Sequence, residues 1–96
     1  MMEKWILRRV LDEFVKYVRN NNLEDDDDVD VERVQYYDRI SDKFVTYKVR
    51  LEFKVLNSKV LVTLYKNSCI VAVHGKVCQV PKDVEEKLVK LFRTFA

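Results

Sequence analysis

From Val45 to Val55 the chain alternates without a break. Val45, Tyr47, Val49, Leu51, Phe53 and Val55 are apolar or aromatic, and Thr46, Lys48, Arg50, Glu52 and Lys54 between them are polar. A period of two sustained this long predicts a β-strand, 44–56, with one face buried and the other wet. A first strand is expected from Val29 or Val31 to Tyr37. The parity of its apolar positions changes between Val31 and Val34, which predicts a bulge near Arg33. Val60–Tyr65 and Cys69–His74 read as the third and fourth strands. Asp38–Lys43, Asn57-Ser58-Lys59 and Lys66-Asn67-Ser68 supply the turns between strands, short connections of the hairpin kind. Gly75-Lys76 reads as a bulge or a turn, after which 77–80 continues the fourth strand or opens a short fifth.

The period lengthens at both ends of the sequence. Ile6, Leu7, Val10, Leu11, Phe14, Tyr17 and Val18 recur three and four apart, so 3–21 is an amphipathic helix. Asn20-Asn21-Asn22 is expected to stop it through a left-handed cap. Arg9–Glu13 and Asp12–Lys16 stand at the spacing of helical ion pairs. After Pro81, which suits the opening of a helix, Val84, Leu88, Leu91, Phe92 and Phe95 make a second apolar stripe. Two stripes need one apolar sheet face to cover. The expected fold is therefore a single α+β domain over 1–96, in two layers and in the order α-β-β-β-β-α. Helix 3–21, an acidic loop 22–29, a four-stranded antiparallel meander within 30–80 and helix 82–95 follow in turn, with both helices on one face.

Composition narrows the class. The 96 residues are 48% hydrophobic and 35% charged, as a folded globular chain is. No apolar run nears the roughly 20 residues of a membrane span, and the charged first helix is no signal peptide. A cytoplasmic location without membrane contact is expected. One Gly and one Pro leave Asn to supply left-handed turn positions. Abundant Val, Lys, Glu and Arg with two Ala resembles the small proteins of hyperthermophilic archaea and their viruses. The resemblance is one of composition. It implies thermostability and, for a viral chain, the host cytoplasm.

Charge is segregated. Residues 24–32 hold seven acids and no base, so the formal +2 combines −7 in that run with +9 elsewhere. On the wet face of strand 44–56, Lys48, Arg50 and Lys54 form a basic row that Tyr65, or Tyr36, can join. Cations for phosphates beside aromatics for base stacking are the ingredients of a DNA- or RNA-binding platform. The bland reading is a solvated face whose charges deter aggregation. The order of elements is similar to that of the double-stranded-RNA-binding domain. The lysine cluster of that family is missing at the last helix, where Asp83, Glu85 and Glu86 follow Lys82, and membership does not follow. Val60-Leu61-Val62 and Ile70-Val71-Ala72-Val73 are apolar on both parities. That points to a homodimer or assembly interface through residues such as Leu61 and Ile70.

Chemistry beyond binding has thinner support. Asp26, Asp28 and Asp30 share the spacing of the first ligands of an EF-hand loop, but Val31 and Tyr37 stand where Gly and Glu are required. Asp38 or Asp42 with Glu52-Phe53-Lys54 resembles the Asp…Glu-x-Lys pattern of Mg²⁺-dependent restriction-type nucleases, a pattern any alternating strand produces often. Cys69, His74 and Cys78 lack the spacing of a structural zinc site. On one continuous strand the two thiols would stand roughly 30 Å apart, and a disulfide would need a turn at Gly75. No catalytic set, metal site, cofactor or small-molecule ligand is implied, and the expected protein is a non-enzymatic binding module.

Overall fold

A computed structural model describes residues 2–96. The elements run α1 (Lys4–Asn20), a short 3-10 turn (Leu23–Asp25), β1 (Val29–Asp38), β2 (Lys43–Val55), β3 (Ser58–Leu64), β4 (Cys69–Val73), β5 (Lys76–Cys78) and α2 (Lys82–Phe95). The strands form one antiparallel sheet in sequential order. The architecture is the expected α+β arrangement, with five strands in place of four because the turn at Gly75 lets Lys76–Cys78 fold back on β4.

Alternation decides which face is buried. Val49, Leu51 and Phe53 of β2 meet Val60, Val62 and Leu64 of β3 and Val71 and Val73 of β4. Leu7, Leu11, Phe14, Val15 and Val18 of α1 and Val84, Leu88, Leu91, Phe92 and Phe95 of α2 close this core from one side. Phe14 stacks on Phe53 with ring centroids 4.2 Å apart. The helices lie parallel. Arg8 pairs with Asp83, and one turn further on Asp12 pairs with Lys87 at 3.4 Å. Asp12 thus bonds across to α2 rather than to Lys16, and Glu13 meets Lys16 at 3.8 Å.

The end of α1 departs from expectation. Asn21 is extended rather than left-handed, and its Nδ2 donates to Tyr17 O at 3.0 Å. The second helix begins at Lys82 as expected, with Pro81 as its cap residue, whose carbonyl accepts from Glu85 N at 2.9 Å. The acidic loop is anchored as well as solvated. Its 3-10 turn buries Leu23, and Asn22 caps that turn by accepting from Glu24 N at 3.1 Å.

The bulge falls on the other strand. Val34 pairs with Lys48 and Gln35 with Thr46, so the unpaired residue is Tyr47 of β2 and not one near Arg33. Opposed residues share a face, so Arg33, opposite Val49, remains on the helix side. The extra residue turns Tyr47 to the outer side with Lys48, and its ring meets that of Tyr65 edge-on at 5.8 Å. Tyr47 therefore leaves the buried row that strict alternation assigned it and is 55% exposed.

β3 accompanies β2 only over Val49–Val55. The rest of the β1–β2 ladder, from Val34 to Lys48, is a two-stranded arm. Thirteen residues of β2 span about 43 Å at 3.3 Å each, which matches the molecule's long dimension of 45 Å. Ile40, 97% exposed, stands at the arm's tip. Among the described residues no helix is long and apolar enough to cross a membrane.

Candidate binding face

The sheet's outer face carries no helix, and the ladder fixes what lies on it. Across the strands, one row reads Asp30, Glu52, Leu61, Ala72, Val77, and the next Glu32, Arg50, Thr63, Ile70. A third row begins Val34, Lys48, and Tyr65 follows β3 beside it. On the arm, Tyr36 opposes Val45 next to Tyr47. Three zones result: acids on β1, cations on β2, and aliphatic side chains on β3–β5.

The expected basic row is only partly a unit. Lys48, Arg50 and Tyr65 gather at the arm end together with Tyr47 and Tyr36. Lys54 lies on the same face but six residues from Lys48, about 20 Å along the strand. It pairs across the ladder with Lys59, whose ammonium is held by Glu52 at 2.6 Å. Glu32 stands opposite Arg50 and draws down the positive potential there. Among the described residues, Lys48, Arg50 and Lys54 make no ion pair within 4.0 Å. Sequence reading missed Tyr47 because a bulge leaves the alternation of residue types intact and changes only where the side chains point.

Leu61 and Ile70 both reach the outer face as expected. Leu61 is half-buried among its neighbours, Ile70 is 44% exposed, and Val77 on the edge strand is 76% exposed. Among the described residues nothing covers this zone.

The nuclease pattern is not assembled. Asp38 opposes Lys43 and Asp42 directly precedes it, so both stand about 30 Å along β2 from Glu52. The Asp38 carboxylate instead holds the turn, accepting from Ile40 N at 3.0 Å and Ser41 Oγ at 3.1 Å. Asp26 is likewise engaged, accepting from the Tyr17 hydroxyl and from Asp28 N at 2.8 Å. Among the described residues no three His, Cys, Asp or Glu side chains converge to hold a metal. A groove of about 900 Å³ between α1 and the far end of β2 is walled by Trp5, Val10, Phe14, Phe53 and Leu56, and its lining has no Ser, Thr, Cys or His nucleophile.

Cys69 and Cys78 are free, half-buried thiols. They share the core-side face of β4 and β5 and line one cavity of about 480 Å³. Burial, with a smaller contribution from the Glu85 carboxylate, pushes the Cys69 thiol up to about 11. His74 is exposed in the β4–β5 turn, apart from both. No protein-family model, curated protein or solved structure matches the chain.

Proposed function

We propose that the protein is a non-enzymatic binding module that takes single-stranded nucleic acid on the outer face of its sheet. The observation that carries this reading is the bulge at Tyr47, which groups Tyr36, Tyr47 and Tyr65 around Lys48 with Arg50 adjacent. Aromatic faces stack bases of any sequence, and cations between them follow the backbone phosphates. The acids on β1 limit how far the cationic track extends, so a short site at the arm end fits better than a platform across the whole sheet.

Fluorescence anisotropy with labelled DNA and RNA oligonucleotides tests it. Binding should weaken with salt by a log–log slope of about −0.7 per phosphate neutralised. Tyr47→Ala and Tyr65→Ala should each cost about 1–3 kcal/mol of affinity. Absence of binding by the wild type at low salt would overturn the reading.

A second reading rests on the aliphatic end of the same face. Exposed Ile70 and Val77 beside Leu61 favour self-association there. Sedimentation equilibrium should then show a dimer that Ile70→Glu dissociates, and a monomer at every concentration would exclude it.

A further inference from the structure

We propose that Cys69 and Cys78 form a reversible intramolecular disulfide that clasps β5 to β4. The ladder puts Cys78 opposite Val71, and Cys69 stands two residues before Val71, so the two residues are diagonal neighbours on one face. Cys78 Sγ donates to Lys76 O at 3.5 Å, so closure also rotates that side chain toward Cys69. The ladder ends at the pair of Val71 and Cys78. Beyond it Gln79 and Val80 line the same cavity as both cysteines, together with Lys4, Leu7 and Arg8 of the first helix.

Diagonal neighbours have Cα atoms roughly 7–8 Å apart, and a disulfide holds them within about 6.8 Å. Closure therefore draws β5 inward by roughly 1 Å. This strand can give, because it is three residues long, sits at the sheet edge and leaves Val77 in solvent. A bond closed against that displacement is reduced more readily than an unstrained one, which makes the clasp reversible.

The oxidant is a low-molecular-weight disulfide such as glutathione disulfide. A thiolate attacks one of its sulfurs, the S–S bond breaks, and one half leaves as thiolate. The second cysteine, after losing its proton, attacks the protein-bound sulfur and expels the other half. The two cysteines give up two protons and two electrons, and the oxidant becomes two thiols. Burial disfavours the Cys69 thiolate, so Cys78 attacks first and Cys69 resolves.

Exposure of the full chain to glutathione disulfide, followed by intact mass and a tryptic map, decides the matter. Cleavage after Lys66, Lys76 and Lys82 puts the two cysteines on separate peptides. Wild type should lose the mass of two hydrogens and both alkylatable thiols and yield the cross-linked peptide pair. Its Tm should rise by about 5 °C or more, and dithiothreitol should reverse the rise. Cys69→Ser should stall with glutathione on Cys78. Wild type that keeps both thiols alkylatable, retains a stable glutathione adduct or yields only intermolecular dimers would overturn the proposal. The wild-type map alone decides it should the variant fail to fold.

Discussion

Arg33 occupies a position that alternation reserves for the core, opposite Val49, and uses it to tie three elements together. Its Nε donates to Phe95 O at 2.7 Å, its guanidinium meets Glu24 at 2.6 Å, and the group lies 5.9 Å from the centre of the Phe95 ring. The carbonyl belongs to the last turn of α2, where the helix dipole favours a cation. Glu24 and the guanidinium are partly solvated, so the ion pair adds little, and the bond to the carbonyl carries most of the effect. Arg33→Ala should lower unfolding free energy by about 1–2 kcal/mol, read by urea denaturation. Tyr17 and Asp26 form the other informative pair. The Tyr17 hydroxyl, and then the Asp28 amide, hold the Asp26 carboxyl below its usual range, while the hydrogen bond to Asp26 raises the Tyr17 phenol. Asp26 contributes stability above its unfolded pKa and loses it as pH falls through the depressed folded value. Tyr17 contributes below its unfolded pKa and loses it as pH rises through the raised folded value. The stability gap between wild type and Tyr17→Phe should be full from roughly pH 4 to pH 10 and close on both sides. Denaturation across that range checks it.

Among the elements, the turns hold the conformational strain. Leu56 and Asn57 connect β2 to β3 with φ of 50° and 62°, and His74 and Gly75 connect β4 to β5 with φ of 51° and 79°. Positive φ at both central residues is the hairpin turn whose twist matches the strands. Asn and Gly suit it, but a branched leucine in the left-handed region costs roughly 1–2 kcal/mol. Leu56→Asn should therefore raise stability by up to about 1 kcal/mol, measurable as a higher urea midpoint at unchanged m-value. The strands and helices were legible because burial imposes a period on residue type. Val49, Leu51 and Phe53 advertise the core face, as Val84, Leu88 and Leu91 do in α2. Asn57 was foreseeable as a left-handed turn residue; Leu56, His74 and Asp42, also at positive φ, were not, since turn geometry overrode their preferences. Tyr47 was hidden for a related reason. Its neighbours in sequence alternate normally, and only the pairing with β1 shows the slip. The basic row was readable as a row, whereas the acids that partly neutralise it come from β1, whose register no local pattern gives.

At the scale of the molecule, cover is uneven. The helices shield the sheet as far as Arg33 and Phe95, and beyond them the arm stands free with Tyr37 against Phe44 on one side, ring centroids 5.5 Å apart, and Tyr36 on the other. A two-stranded ribbon without a layer behind it is marginally stable in water. Amides of the arm that bond across the ladder should exchange with solvent faster than those of Val49–Phe53, which β1 and β3 flank and the helices cover. Hydrogen exchange read by NMR distinguishes the two zones, and uniform protection would contradict the picture.

The parallel setting of α1 and α2 has a consequence in time. Every strand pairs with its neighbour in sequence, so the sheet grows by closing short loops. Arg8 and Asp83, in contrast, are 75 residues apart. Bringing them together carries the largest loop-closure entropy in the molecule, and the hairpins that shorten the path must come first. The helix–helix contact is therefore expected to form late, after the transition state. Removing the cross-helix pairs, as in Asp83→Ala with Lys87→Ala, should leave the folding limb of a chevron nearly superimposed on that of wild type and raise the unfolding limb. On that expectation the sheet sets how quickly this protein reaches its native state, and the contact between its first and last helices sets how long it stays there.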